Sequence, residues 1–458
     1  MESDYGALSL VPAIVIIVFA LITRKSFSSL MIGAVLAWIV MFGVGAYGKI
    51  MDMVYGVVMD GDVQWTILLT GIYGALIFLL RASGGIDSFT NIVGRFATTA
   101  KRTMIGAWIV GLLIFIGDML NIMAVGVTMM KLSDKHKVPR EMLAYIMDST
   151  AAPVAVLAPV SSWAAFFITV FMGQPEVSFD SASKVANYAT LVPMLFYPMA
   201  TVLCVLLLSI GVLPKIGAMK KAWERVASTG MIYSERSAQY NKELESAEPG
   251  KEKPKRIINF ALPILVLLYC AIGQGDILMG SIFSTLTIII LVLAQRICTF
   301  GEVAQLCMDG FVSMMPMIII VVGAFMARDS LVAIGLPAFV INSLEPVMSP
   351  ALLPAITFAA TATLSFVTSS SWGVPAVVVP IVVPLAAAVG APIPLTLAAI
   401  VSAASFGSHA CFYSDATVIT SAIAKIENTE HAFSQFPYAL MAAAVAFVAY
   451  LIGGFALA

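Results

Sequence analysis

The stretch GSHACFYSDAT, from Gly407 to Thr417, interrupts a long apolar segment of this sequence. A helix that continued through it would carry a glycine, a histidine, several hydroxyl groups and Asp415 into lipid. In a bilayer, an unpaired backbone group or ionisable side chain costs roughly several kcal/mol unless protein or trapped water satisfies it. The stretch therefore predicts an unwound span that marks a path for an ion or a small substrate.

Composition places most of the chain in a membrane. Of the 458 residues, 60% are hydrophobic and only 11% are charged, which is too few charges to cover a soluble surface. The formal net charge of -1 gives no sign of nucleic-acid binding, so the expected partners are the lipid bilayer and a small solute. The five cysteines lie in or beside apolar runs without CxxC spacing and are expected to be core residues.

Ten apolar runs are long enough to cross a bilayer, and two further segments exceed one span but are broken in the middle. The broken segments, 103–133 and 350–390, are predicted to be re-entrant hairpins. The first has basic residues at both ends, and basic residues favour the cytoplasmic side. The ten crossings are predicted at 7–23, 28–47, 63–81, 140–172, 185–212, 257–273, 278–296, 304–327, 393–425 and 433–457.

Sidedness follows from the same distribution of basic residues. With both ends of the first hairpin inside, both chain termini fall outside, and the Lys- and Arg-rich linker 214–256 falls in the cytoplasm. The linker is expected to be a solvated tether between a first half, 1–213, and a second half, 257–458. The N-terminus lacks the basic region of a cleavable signal peptide, so the first apolar run is expected to remain as a span in the cell membrane.

The two halves show signs of an internal repeat. Val138-Pro139 and Ala391-Pro392 both follow a broken segment, and LAYIMDS from Leu143 aligns with LAAIVSA from Leu397. In that register PVSSW, Pro159 to Trp163, falls opposite YSDAT, and an amphipathic stretch at 86–96 follows a span end. We therefore predict an all-α polytopic membrane protein with an inverted repeat of five transmembrane helices plus one re-entrant hairpin each. Its discontinuous helices are expected to meet at the membrane centre.

Four breaks are expected to converge there: the hairpin tips 117–121 and 368–373, and the interrupted spans 148–163 and 407–417. Half-helix ends offer free N–H groups to anions and carbonyls to cations, hydroxyl oxygens suit sodium, and carboxylates or imidazoles carry protons. The candidate ion- and substrate-binding residues are Asp118, Asn121, Asp148, Ser149, Thr150, Ser161, Ser162, Trp163, Thr368, Ser369, Ser370, Ser371, Trp372, Ser408, His409, Tyr413, Ser414, Asp415 and Thr417.

These candidates also have structural alternatives. Asp118 is a good residue for capping a helix N-terminus, and His409 would serve equally as a satisfied core histidine. Trp163 and Trp372 would wall a pocket or simply pack. The serines of the two motifs would equally permit close helix packing. They are Ser161, Ser162, Ser369, Ser370 and Ser371.

The motifs DSTAAPVAVLAPVSSW, from Asp148 to Trp163, and FGSHACFYSDAT, from Phe406 to Thr417, resemble those of the NhaC-type sodium/proton antiporter family. The later QFPYAL, from Gln435 to Leu440, is similar as well. The resemblance spans nearly the full chain and implies ion coupling at the polar residues of the motifs. Ser408 stands where related antiporters often carry an acidic residue, which leaves room for an organic substrate. The implied coupling residues are Asp148, Ser149, Ser161, Ser162, Ser414, Asp415 and Thr417.

The function predicted is secondary active transport by alternating access, coupled to sodium, protons or both. The candidate sodium ligands are Asp148, Ser161, Ser162, Ser414, Asp415 and Thr417. The inferred core is acidic and lacks Lys and Arg, so a small amine, amino acid or carboxylate carried with these ions is an alternative, and an ion channel a weaker one. No Walker motif, HExxH or GxSxG occurs in the sequence, so neither ATP-driven transport nor an enzyme is expected, and no cofactor beyond the coupling ions. Whether two copies pair as a homodimer stays open.

Overall fold

Helices make up every regular element that the structure describes. The computed structural model describes residues 5–23, 26–85, 88, 97–177, 183–242, 256–274, 276–346 and 348–457, and none of these lies in a strand. The predicted all-α class is confirmed. The amphipathic stretch predicted at 86–96 lies outside the described residues, apart from Ser88.

The first half folds into eleven described helices joined mostly by short turns. Capping side chains begin several of them, as at α4, where the Asp60 carboxylate accepts hydrogen bonds from the backbone N–H groups of Asp62 and Val63. The helices are α1 Leu10–Thr23, α2 Ser26–Phe42, α3 Ala46–Met59, α4 Gly61–Ala82, α5 Ala100–Leu113, α6 Asp118–Lys135, α7 Arg140–Ser149, α8 Ala152–Leu157, α9 Ser162–Met172, α10 Lys184–Ala189 and α11 Phe196–Ile210.

Two linker helices and the second half follow. Thr299 and Glu302 form a reciprocal capping box at the start of α16. The helices are α12 Gly217–Thr229, α13 Gln239–Lys242, α14 Ile258–Leu268 with a π-helical turn at Tyr269–Gly273, α15 Ile277–Ala294, α16 Phe300–Ser313, α17 Met315–Ala333, α18 Leu336–Leu344, α19 Leu353–Thr368, α20 Gly373–Val389, α21 Ile393–Ala410, α22 Asp415–Ala424 and α23 Asn428–Leu457.

Six helical stretches in the described part of the chain are long and apolar enough to cross a membrane. Two bent pairs raise the number to eight when each counts as one span. Shorter apolar helices occupy the two remaining predicted crossings, near 7–23 and 257–273, and the two arms of the predicted second hairpin. The six stretches are Phe27–Met59, Gly61–Ala82, Ile277–Ala294, Phe300–Ala333, Ile393–Ala424 and Asn428–Leu457.

Two of the predicted crossings are bent helix pairs in the structure and not single straight helices. The pair over 140–172 bends by 44°, at the break that the serine-rich motif predicts. The pair over 184–210 bends by 60° although one crossing is predicted there. Pro193 and Pro198 flank this second bend, and proline cannot donate the backbone hydrogen bond that a continuous helix needs.

The core of the bundle is built around α7 and α21. Every residue of α7 is buried, and so is α21 from Leu395 to Ala410. The helices α19 and α23 pack against α21, and α6, α22 and α23 pack against α7. The motif DSTAAP begins in the last two residues of α7, and FGSHA ends α21, so the core holds the motifs that the sequence singles out.

The unwound stretch predicted at Gly407 to Thr417 is shorter than expected. The helix α21 continues through Ala410, and only Cys411 to Ser414 lie between α21 and α22. A Cβ atom at Gly407 would lie 2.4 Å from the Cβ of Ser365 on α19. The glycine therefore permits close packing of α21 on α19, and does not break the helix.

The linker is not a solvated tether over its described part. Met219, Ala222 and Val226 form the buried face of α12, which packs against α23, and Arg225 pairs with Glu141 at 2.8 Å. Three apolar residues at helical spacing give α12 a face that must be covered. That prediction was wrong for 214–242, and residues 243–255 lie outside the described part of the chain.

Two glycines permit a close helix contact between α4 and α16. A Cβ atom at Gly74 would lie 2.1 Å from the carbonyl oxygen of Gly310, and one at Gly310 would lie 2.3 Å from that of Gly74. Real Cβ atoms do not approach a backbone oxygen so closely, so the two helices must separate if either glycine acquires a side chain.

We predict that Gly310→Ala lowers the melting temperature of the purified protein, because overpacking of this kind costs about 1–3 kcal/mol. The matched control is Gly56→Ala on α3, where a Cβ atom meets nothing within 4 Å. Alanine there gains helix propensity and should leave the melting temperature equal or higher. Equal melting temperatures for Gly310→Ala and the wild type would contradict the close contact.

Candidate functional site

A fully buried carboxylate, Asp148, lies at the last turn of α7. Its Oδ2 atom accepts three hydrogen bonds, from Gln435 Nε2 at 2.9 Å, His431 Nε2 at 3.1 Å and Thr417 Oγ1 at 3.3 Å. These donors come from α22 and α23, so the carboxylate of the first half is held by the second half. Neither lysine nor arginine is among these partners.

The other carboxylate oxygen, Asp148 Oδ1, has no hydrogen-bond partner although it is buried. The same is true of the amide oxygen Gln435 Oε1. The orientation of this amide is fixed, because its Nε2 donates both to Asp148 and to the carbonyl oxygen of His409 at 2.6 Å. Two oxygens that can only accept therefore lie unpaired in the core, where an unsatisfied polar atom costs about 1–3 kcal/mol.

His409 on α21 is fully buried and engages both ring nitrogens. Nε2 lies 3.0 Å from Ser149 Oγ, and Nδ1 lies 2.7 Å from the Tyr197 hydroxyl on α11. Its backbone carbonyl is held by Gln435, so His409 and Asp148 share one partner. His409 thus connects α7 and α11 through its ring and α23 through its backbone carbonyl, in one hydrogen-bonded group.

Two helix breaks beside this group are stabilised in the same way. Ser161 Oγ donates to the carbonyl oxygen of Ala155 at 2.5 Å and accepts from the N–H of Ala164 at 3.0 Å. Ser414 Oγ donates to the carbonyl oxygen of Ser408 at 2.6 Å and accepts from the N–H of Thr417 at 3.2 Å. Each hydroxyl closes the preceding helix and caps the next, which satisfies backbone groups that the break exposes.

A third break, at Thr150 and Ala151 between α7 and α8, is held by Asn121 of α6. The Asn121 amide donates to the carbonyl oxygens of Gly111, Ile114 and Thr150, at 2.6, 2.9 and 2.8 Å. These oxygens belong to the end of α5, to the turn that follows it and to the break itself. Asn121 is fully buried, so its observed role is to brace three chain segments.

Both hairpin turns contact the break of their own half. The N–H of Ser162 donates to the carbonyl oxygen of Ile116 at 2.9 Å, and Ser369 Oγ donates to that of Tyr413 at 3.1 Å. The rings of Trp163 and Trp372 lie 4.1 Å apart between centroids and join the two sets. The four segments predicted to converge therefore do so.

The remaining candidates have local partners at the second turn. Thr368 Oγ1 donates to the carbonyl oxygen of Leu364 at 2.7 Å and accepts from the N–H of Ser370, and Ser370 Oγ caps Gly373 N at 3.0 Å. Ser371 is buried in the same turn. These contacts support the structural alternative for Ser370, and they give Thr368 a structural role in the same turn.

Asp118 and Asp415 are the first residues of α6 and α22, which pack against each other. The two carboxylates are near enough to repel each other, and Trp163 lies beside Asp118. Asp415 is exposed and Asp118 is half-buried, in contrast to Asp148. The acidic candidates thus form one buried site and a second, more accessible pair.

Sequence reasoning missed Tyr197, His431 and Gln435, which complete the buried group. A signal for two of them was present, since His431 and Gln435 are four residues apart on α23 and lie on one helical face. Tyr438, a further turn along, lies on that face and accepts from the N–H of Ile216. A polar stripe along an otherwise apolar helix indicates a buried polar network.

The family model described as the Na+/H+ antiporter family matches residues 154–455. The chain belongs to this family. The match confirms the resemblance of the chain to NhaC-type antiporters, and it contains the second motif whole and the first motif from Val154 onward. An uncharacterized protein of Haemophilus influenzae is 25% identical over 485 residues, covering 98% of this chain and 91% of that protein.

Two solved structures show a similar fold. The YdaH transporter of Alcanivorax borkumensis, described as having an unusual topology, has a TM-score of 0.58 at 11% identity and covers 89% of this chain and 88% of its own. MtrF of Neisseria gonorrhoeae, described as illuminating a class of antimetabolite efflux pumps, has a TM-score of 0.54 at 14% identity, covering 90% and 84%. This member of the antiporter family is therefore a multi-pass membrane protein with a transporter fold, and the family makes it a secondary transporter.

We predict that Asn121→Ala destabilises the fold more than any change at an exposed amide. It leaves three carbonyl oxygens without their donor, at about 1–3 kcal/mol for each buried group. Gln305→Ala is the control, since Gln305 is exposed and bonds only Asp309 on its own helix. Thermal unfolding in detergent should show a large decrease in melting temperature for the first variant and almost none for the second. Similar small decreases would show that the brace contributes little.

Proposed function

We propose that this chain exchanges sodium for protons across the cell membrane, with Asp148 as the shared binding group. The observation that carries the proposal is the unequal pairing of the Asp148 carboxylate. Oδ2 accepts three hydrogen bonds and Oδ1 accepts none, in a side chain that is fully buried. An acceptor left unpaired at this depth calls for a cation or a proton.

Sodium would bind between Asp148 Oδ1 and Gln435 Oε1. Both are oxygen ligands, which a hard cation prefers, and neither has another partner. Ser161 and Ser414 were candidate ligands from the sequence, but their hydroxyls already donate and accept at the helix breaks. We therefore assign those two serines to shaping the site, and Thr417 to orienting Asp148 through Oδ2.

A proton would bind to the same carboxylate. Protonation of Asp148 removes the charge that attracts sodium, so the two ions exclude each other, and binding of one releases the other. His431 donates to Oδ2 and is the nearest imidazole, which makes it the group that passes the proton to or from Asp148. Mutual exclusion at a single site produces exchange when the site is exposed to the two sides of the membrane in turn.

The architecture we propose for this exchange is the inverted repeat with alternating access. The matching hydrogen bonds of Ser161 and Ser414, and the matching contacts of the two hairpin turns, support it. In this arrangement α5–α6 and α19–α20 are the re-entrant hairpins, residues 1–213 and 257–458 are the repeat halves, and both termini lie outside. A rocking motion of one bundle against the other would expose Asp148 to each side in turn.

We predict that Asp148→Asn abolishes sodium-driven proton movement in proteoliposomes, because the amide cannot alternate between a charged and a protonated form. Gln435→Leu should raise the half-saturating sodium concentration, since it removes one ligand and one donor to Oδ2. The readout is a pH-sensitive dye inside vesicles after a sodium jump. Asp309→Asn is the control, because Asp309 is exposed on α16. Wild-type exchange by Asp148→Asn would refute the proposal.

A small protonated amine is the second candidate substrate. Asp118 and Asp415 form an accessible acidic pair beside Trp163, whose ring contacts Trp372. Carboxylates pair with an ammonium group, and indole faces attract it at short range. The antimetabolite efflux described for MtrF concerns organic solutes and is consistent with this alternative.

We predict on this alternative that phenylethylamine raises the melting temperature of the purified protein, while phenylethanol, which has the same ring without the charge, does not. A ligand that prefers the folded form stabilises it by mass action. The increase in melting temperature with phenylethylamine should be absent in Asp415→Asn and present in the control variant, Asp309→Asn. An equal response to the amine and the alcohol would exclude recognition of charge at this pair.

A further inference from the structure

The linker residues Gly230–Asn241, here called the strap, lie against the ends of two helices that meet at the buried site. The strap follows α12 and contains the turn Arg236–Ala238. It bonds to the start of α7 and to the turn between α22 and α23. The same α7 carries Asp148 two turns later, and α23 carries His431 and Gln435.

The contacts with α7 involve charged groups that are largely buried. The backbone N–H of Arg140 donates to the carbonyl oxygen of Ile232 at 3.0 Å, and the Arg140 guanidinium bonds Asn241. Arg225 of α12 bonds both Glu141 at 2.8 Å and the carbonyl oxygen of Ile232 at 3.3 Å. Arg140 is 5% exposed and Glu141 is 3% exposed, so solvent competes little with these bonds.

The contacts with α23 converge on Glu430. Ser234 Oγ donates to Glu430 Oε1 at 2.6 Å, and Ser237 Oγ donates to Oε2 at 2.7 Å. The Asn241 amide donates to the carbonyl oxygen of Lys425 at 3.0 Å, at the end of α22. Glu430 precedes His431, so the strap holds the helix turn that presents the imidazole to Asp148.

We propose that the strap is a gate for the Asp148 site. Docked, it joins α7 to α23 and keeps Asp148 enclosed; undocked, it lets the two helices separate and admits the ion from that side. Glu430 is a positioning residue in this gate, since it acts through its strap serines and does not touch the ion. The inference rests on the proposed function, because an enclosed Asp148 needs a gate only if it binds a transported ion.

Two measurements on the reconstituted full chain test the gate. The first is tryptic cleavage after Arg236, an exposed residue between the two serines. A protease binds its substrate as an extended chain, so cleavage here requires the strap to detach locally. The second is the half-saturating sodium concentration for exchange from the linker side. In the double variant Ser234→Ala, Ser237→Ala we expect cleavage to become roughly tenfold faster or more. We expect the half-saturating concentration to fall roughly threefold or more, because the open state becomes more populated.

Matched variants separate the gate from a general loss of structure. Ser228→Ala removes an exposed serine of α12 that bonds only within its own helix, and should behave as the wild type. The double variant Ser234→Thr, Ser237→Thr keeps both hydroxyls and should show the wild-type cleavage rate and half-saturating sodium concentration. A double alanine variant with unchanged cleavage and unchanged half-saturation would overturn the gate.

A further measurement needs no change in the strap. If undocking favours sodium binding, sodium must favour undocking by the same factor. Sodium chloride, compared with potassium chloride, should therefore accelerate cleavage after Arg236 in the wild type but not in Asp148→Asn. If sodium does not change the cleavage rate of a wild-type protein that exchanges ions actively, the gate is rejected and the proposed function is not. Full exchange by Asp148→Asn would instead reject the proposed function.

Discussion

The arrangement of the core depends on one constraint, the free-energy cost of burying the unpaired oxygen Asp148 Oδ1. Asp148 lies in a bundle of apolar helices where water cannot satisfy it, and neutral donors and one histidine pair only Oδ2. A second basic partner would have made a permanent ion pair and a purely structural residue. A sodium ion or a proton at Oδ1 would offset the cost of leaving this oxygen unpaired. Small changes around the site would then be enough to favour either binding or release.

The helix breaks can lie at this depth because each satisfies its own backbone. At two breaks, the hydroxyl of Ser161 or Ser414 donates to a carbonyl oxygen six residues earlier and also caps the next helix, so few backbone groups stay unpaired. At the third break, the Asn121 amide donates to the carbonyl oxygens. Ser161 and Ser414 therefore each have a structural role at a helix break. This explains why one residue type can suggest a ligand in the sequence and act as a cap in the structure.

Part of this arrangement follows from the sequence because its signals are local. Hydropathy gave the helical class, and prolines, serines and acidic residues in apolar runs located the breaks and Asp148. The partners of Asp148 are about 280 positions away in sequence, and only folding brings α23 against α7. Gly407 was read as a helix breaker because a glycine that ends a helix and one that lets two helices touch look alike in sequence. The docking of α12 was missed for a similar reason, since charges outnumber its short apolar face.

The two helices that enclose Asp148, the proposed ion site, are joined at two levels. In the core, α7 and α23 meet through hydrogen bonds to Oδ2, and at their ends the strap connects them through Arg140 and Glu430. Each connection opposes the separation of α7 and α23, because both join the same two helices. An ion at Oδ1 redistributes charge on the same carboxylate that accepts from His431 and Gln435, and so changes how firmly the core connection resists opening. Under the proposed function, the occupancy of the site and the position of the strap depend on each other, although no strap residue bonds to the carboxylate.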